Sequence, residues 1–125
     1  MCSRFIKSTG DGLLATFDGP ARALRCASAI REGSLRDGLH VRAGVHVGEV
    51  EVVGGDVRGI SVHEAARIMA AAGSDEILVS ETVRALSGPA DLSFVDAGLH
   101  ELKGLAGERR LYSYVSEDRR PRVSP

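Results

Sequence analysis

The stretch Gly54–Arg67, GGDVRGISVHEAAR, decides how the rest of the chain is read, because it joins a glycine-rich turn, an acid, an imidazole and a guanidinium in one short segment. Gly54, Gly55 and Gly59 surround Asp56, so the backbone there is free to take positive φ and to approach a ligand closely. From Ser61 the pattern becomes helical. Ser61 is suited to cap the first turn, and Val62, Ala65, Ala66, Met69 and Ala70 recur at the three-and-four spacing of one buried stripe. His63 and Arg67 then share one face, a turn apart, beside that stripe. A guanidinium fork next to an imidazole can cradle a phosphate-like anion, since arginine binds phosphate oxygens bidentately. A solvated His and Arg on a helix face are equally ordinary, and the segment alone leaves both readings open.

Working outward toward the N-terminus, Leu39–Val53 (LHVRAGVHVGEVEVV) alternates apolar and polar around Gly44 and Gly48, which predicts two strands with a tight connection. Asp18-Gly19-Pro20 starts a helix that ends near Gly33 and buries Ala21, Leu24, Ala27, Ser28 and Ile30. Phe5–Lys7 and Leu13–Phe17 flank Ser8-Thr9-Gly10-Asp11-Gly12 as a β-hairpin with Asp11 at its tip and Lys7 at the same end. A carboxylate between two glycines suits a hard cation such as Mg²⁺. Asp-Gly is also a common turn dipeptide, so this residue alone decides nothing.

Toward the C-terminus, Glu76–Val79 reads as a buried strand, and Ser80 begins a short helix through Leu86 that Gly88-Pro89 ends. Leu92–Leu102 is a strand with a break near Gly98, Lys103-Gly104 opens a loop, and Arg110–Val115 is the last strand. The tail SEDRRPRVSP, residues 116–125, has no apolar period and is expected to be disordered, leaving 1–115 as one domain. The elements sum to an α+β sheet covered by helices on one face.

Composition bounds the function. A chain of 125 residues with 43% hydrophobic and 26% charged residues is globular but short for enclosing a nucleotide-sized ligand, so a partner chain is expected to complete a site. A net charge of -1, no Trp, three Phe and two Tyr argue against a nucleic-acid scaffold. No apolar run reaches bilayer-spanning length and MCSRFIKS has no signal-peptide core, which predicts no membrane segment and a cytoplasmic location. Cys2 and Cys26 read as free thiols, and His40, His46, His63 and His100 show no metal-ligand spacing with them.

Five segments in order carry a resemblance: KSTGDG at Lys7–Gly12, RAGVHVGEVE at Arg42–Glu51, GGDVRGISVHEAARI at Gly54–Ile68, ILVSETV at Ile77–Val83 and HELKG at His100–Gly104. Together they resemble the class III adenylate and guanylate cyclase catalytic domain in its bacterial form, from Phe5 to about Val115. The resemblance implies a ferredoxin-like βαββαβ core, a mostly antiparallel sheet and a head-to-tail homodimer with active sites between subunits. It implies conversion of ATP or GTP to the 3′,5′-cyclic nucleotide and pyrophosphate, with two Mg²⁺ or Mn²⁺ ions. On the matching positions, Asp11 would be a metal ligand. Lys7 and Asp56 would read the purine edge in the adenine-selective combination, Arg67 would stabilise charge on the α-phosphate, and Lys103 would hold the terminal phosphates.

Two departures qualify it. His63 stands where the commoner pattern has an asparagine that orients the ribose; an imidazole still donates a hydrogen bond. Only six residues precede Lys7, so the first family strand, its metal aspartate and two helices are expected to be missing, giving an N-terminally truncated domain. A sheet without that strand predicts an altered assembly, through strand exchange or an unusual dimer. Asp18 and Glu49 are candidate replacement carboxylates, neither favoured by spacing. The expectation is therefore an adenylate cyclase, weak or inactive as this chain, with a non-catalytic cyclase-homology domain that binds nucleotide or a partner cyclase subunit as the alternative. A diguanylate cyclase is set aside, because Val57 and Arg58 follow Gly54-Gly55-Asp56 where an acid and an aromatic would be needed.

Overall fold

A computed structural model describes residues 5–8 (backbone only), 12–87 and 93–115. Near the N-terminus, β1 (Phe5–Ser8) and β2 (Leu13–Thr16) pair antiparallel, with Lys7 opposite Leu14. The expected Asp11 tip and the 116–125 tail lie outside the described residues. Pro20 opens α1 (Pro20–Arg36), as the fixed φ of proline favours, and the helix runs past Gly33 to Arg36. Its inward face is set by Leu24 and, unexpectedly, Arg31, whereas Ile30 is exposed. Arg31 Nε bonds Glu32 and Nη1 donates to the Asp75 carbonyl, so the guanidinium ties this helix to the start of the central sheet.

That sheet has four strands: β3 (Ala43–Val45), β6 (Ile77–Ser80), β7 (Ser93–Glu101) and β8 (Glu108–Val115), in the order β3-β6-β8-β7. The β3–β6 pair is parallel and the others antiparallel, in keeping with the mostly antiparallel α+β class. A register shift between Asp96 and Leu99 places a bulge at Gly98, where the sequence predicts the strand's break. The other two strands, β4 (Glu51–Val53) and β5 (Asp56–Arg58), form their own ribbon. Leu39–Val53 therefore does contain two strands, but β3 and β4 belong to different sheets and do not pair with each other. Residues 46–50 intervene, because His46 and Glu49 are drawn into contacts with the following helix and its entry turn.

All four residues of β6 are buried. Ile77 and Val79 point to a cluster with Leu24, Tyr114 and Val83 of α3 (Glu81–Leu86), flanked by Ala43 and Val45. Leu78, on the other parity, joins Leu102, Leu111 and Ile68 and Ala72, which lie in and just after α2 (Ile60–Ala71). A strand alternates its side chains between faces, so α1 and α3 cover one face of the sheet and α2 the other. Helices on both faces replace the single helical layer that the element count suggested. Both parities of the interior strand are apolar, and that pattern requires cover on both sides.

Among the described residues β2 pairs only with β1, and β3 only with β6. Among the described residues, the N-terminal ribbon and the four-stranded sheet therefore each end in an open edge.

Candidate active site

Gly54 (φ 57°) and Gly55 (φ 79°) form the two-residue turn between β4 and β5, with the two positive φ values that match the twist of a tight hairpin. Asp56 sits just past this turn as the first residue of β5, half-buried, its Oδ1 accepting from Val57 N at 2.9 Å and its Oδ2 lying 3.9 Å from Arg58 Nε. Gly59 (φ 138°) then turns the chain into α2, and a Cβ there would come 3.2 Å from the Glu49 carbonyl oxygen. This corrects the expected cap: Gly59 is the N-cap, without a side-chain bond, and Ser61 is already the second helical residue. The Ser61 hydroxyl lies over Gly48, where a Cβ would fall 1.8 Å from it.

The helix docks on β3 through glycine. A Cβ on Gly44 would lie 2.4 Å from Met69 N and 2.7 Å from the Ala65 carbonyl oxygen, so backbone meets backbone. The buried stripe accordingly falls on Ile68, with Val62, Glu64, Ala65 and Ala71 half-buried, while Ala66, Met69 and Ala70 are exposed. The observed stripe is rotated from the expected one because Glu64, a charged residue, takes an inward position through its bonds to Arg109 and His46. His63 and Arg67 are both exposed on the polar side, and among the described residues neither has a hydrogen-bonding or ionic partner. Lys103 is exposed in the turn between β7 and β8, beside an open depression of about 400 Å³ lined by Glu101, Leu102, Leu105 and Gly107. Lys7 is described by backbone alone.

Glu64 ties α2 to β8 and to the residue just beyond β3. One of its oxygens accepts from Arg109 Nη1 of β8 at 2.5 Å, and the other lies 3.4 Å from His46 Nε2. Nδ1 of His46 is 2.9 Å from Ser80 Oγ, which also accepts from Val83 N as the N-cap of α3. The hydrogen bond from Arg109 holds the Glu64 carboxyl below the ordinary carboxylate value of 4.5; burial pushes the other way and His46 adds a smaller lowering. A cavity of about 190 Å³ opens against His46, Ser80, Leu102 and Arg109.

Comparison with solved structures shows which family the fold belongs to. An adenylate/guanylate cyclase/hydrolase from Silicibacter pomeroyi is 32% identical and superposes with a TM-score of 0.75, covering 90% of this chain and 73% of its own. The chain belongs to the adenylate and guanylate cyclase family. A Trypanosoma brucei adenylate cyclase shares the fold with a TM-score of 0.79 at 20% identity, over 90% of this chain and 71% of its own. Among curated proteins, a Rhizobium meliloti protein provisionally named adenylate cyclase 3 is 32% identical over 125 residues, 93% of this chain. This cyclase-family chain spans 21% of that relative's length, and 41% of an uncharacterised Mycobacterium tuberculosis relative's. No protein-family model matches it.

Of the residues singled out from sequence in this cyclase-family domain, Asp56, His63 and Arg67 fall on one continuous hairpin-to-helix unit. Lys103 stands apart from that unit, exposed in the turn between β7 and β8. Asp11 lies outside the described residues, and no three His, Cys, Asp or Glu side chains cluster among the described ones, so they assemble no cation site by themselves. Asp18 is 3.7 Å from Arg22, and Glu49 is exposed. No described helix is long and apolar enough to cross a membrane. Sequence reasoning missed His46, Glu64 and Arg109. The available signal was a charged residue at a position where helical spacing demands an inward side chain.

Proposed function

We propose that this chain is an adenylate cyclase catalytic domain that converts ATP to 3′,5′-cyclic AMP and pyrophosphate, with its site completed across a homodimer or strand-exchanged dimer. The observation that carries the proposal is the His63–Arg67 face of α2, unpartnered among the described residues, preceded by Asp56 on the same hairpin-to-helix unit and tied to β8 by the Glu64–Arg109 bond. Family membership supplies the reaction class.

In this reading the ribose 3′-oxygen attacks the α-phosphorus in line. The O3′–P bond forms, the bond from phosphorus to the bridging oxygen breaks, pyrophosphate leaves, and the hydroxyl proton passes to solvent. Arg67 offers a planar fork to the α-phosphate oxygens as negative charge shifts toward the leaving group, an interaction that strengthens in the transition state. His63 donates a hydrogen bond to the ribose, and Lys103 neutralises the departing phosphates. Lys7 donates to adenine N1 while Asp56 accepts from the exocyclic amine, a donor and acceptor order that suits adenine. Mg²⁺ or Mn²⁺ is the expected cofactor, with Asp11 as the ligand this chain offers; bound there it would neutralise phosphate charge.

The test incubates the purified chain with Mn²⁺ and either ATP or GTP and quantifies both cyclic nucleotides by mass spectrometry. Cyclic AMP in excess, abolished by a chelator and lowered about 100-fold or more by Arg67→Ala, supports the proposal. A folded chain that binds ATP without turnover overturns it in favour of the non-catalytic homology domain.

A further inference from the structure

Seen from β3, α2 presents a poor surface for fixing its own rotation. Ile68 anchors the helix among Leu78, Leu102 and Leu111, but over β3 the Ala65 carbonyl and the Met69 backbone lie against Gly44, which has no side chain to interlock with them. Close approach is secured by this, but a smooth contact resists rolling only weakly, because few ridges engage grooves. Among the described residues, directional side-chain bonds fall on one residue of the helix, Glu64, whose two oxygens are gripped from two different strands' ends: by Arg109 of β8 and by His46 just beyond β3.

We infer that Glu64 is a positioning residue, and that its two-sided grip by His46 and Arg109 sets the roll of α2 and hence where His63 and Arg67 point. This rests on the reading of Arg67 as the group that meets the α-phosphate. The geometry is direct. At about 100° per residue, His63 lies about 100° and Arg67 about 60° to the same side of Glu64 around the helix. A helix with its side chains is about 10–12 Å across, so a roll of about 10° carries a side-chain tip about 1 Å. A displacement of that size at a reacting centre costs up to about 100-fold in rate. Ser80 extends the grip, since its hydroxyl bonds His46 Nδ1 while capping α3. The next arginine along β8, Arg110, is paired instead with both oxygens of Asp96 on β7 and takes no part.

Glu64→Gln keeps the shape of the side chain and removes its charge. With ATP and Mn²⁺, kcat is expected to fall about 10- to 100-fold with KM within about twofold, while Arg110→Gln leaves both unchanged. Combined with Arg67→Ala, Glu64→Gln should add less than about twofold to the loss already caused, because a residue that acts through Arg67 has nothing left to aim. Full additivity of the two losses, or a rise in KM with kcat intact, would overturn the inference. Amide hydrogen exchange is read on the same variants: Glu64→Gln should speed exchange across residues 60–71 and leave 20–36 as they are. If the unmodified chain turns over neither ATP nor GTP, the functional reading fails by itself, and the exchange pattern still decides the inference, unchanged rates in α2 refuting it.

Discussion

Glu64 carries a stability consequence as well as a geometric one. Its carboxyl is held below 4.5 in the folded chain, chiefly by the Arg109 hydrogen bond, so the unfolded chain binds the more protons in acid. The stabilisation is therefore complete above pH 4.5 and drains away as pH falls through the lower folded value. Urea unfolding should show Glu64→Ala costing about 1–3 kcal/mol at pH 7, toward the lower end because Arg109 is 39% exposed, and the gap between variant and wild type closing below pH 4. A gap that persists undiminished at pH 3 would place the stabilisation elsewhere. The residues that carry motifs were legible in the chain itself: Asp56, His63, Arg67 and Lys103 stand in short, recognisable segments. The partners of Glu64 were not, for a physical reason. His46 lies just beyond β3, 18 residues before Glu64, and Arg109 is 45 residues after it, and their convergence is a product of sheet order that no local period encodes.

At the scale of elements, α2 is defined by the glycines beneath it as much as by its own sequence. Gly44 admits the helix backbone to within contact of β3, so Gly44→Ala has only main-chain atoms to push against. The substitution should cost about 1–3 kcal/mol in chemical denaturation and lower turnover along with it. A neutral effect would mean that the helix can slide outward freely. Helix and strand boundaries were largely readable: Pro20 opens α1, Ser80 caps α3, and Gly98 breaks β7 where alternation falters. The cap of α2 differs from the expectation because Ser61 looks like an N-cap by residue type, while the positive φ of Gly59 and the crowding against Glu49 fix the start two residues earlier than a serine cap would. Strand pairing was less readable than strand existence. Nothing within Leu39–Val53 says that β3 will lie parallel to β6, 34 residues away in register, while β4 turns to β5.

For the whole molecule, the three separate sheets and their open edges matter most. The β4–β5 ribbon carries Val52 at 66% and Val53 at 46% exposure, and Ile60, at the start of the helix that follows, is 64% exposed. An apolar hairpin held out in this way is a surface for association. Sedimentation at rising concentration should show the chain self-associating, and Val52→Glu with Ile60→Glu should shift the equilibrium to monomer about 100-fold without unfolding it. A chain that remains monomeric at high micromolar concentration would argue against the homodimer. If turnover survives in that monomer, the shared-site reading is wrong as well. The α+β class and family were legible in sequence because five motifs fall in order along one chain; the helices on both faces were not, because assigning a helix to a face requires knowing the parity of the strand it meets.

The Ser80 hydroxyl belongs to two structures at once, the first turn of α3 and the imidazole of His46. A spectroscopist could use this: the Val83 amide, which donates to that oxygen, is a built-in reporter. Its chemical shift should move in His46→Ala even though the ring lies outside α3, and losing that response in Ser80→Ala would identify the hydroxyl as the wire between them.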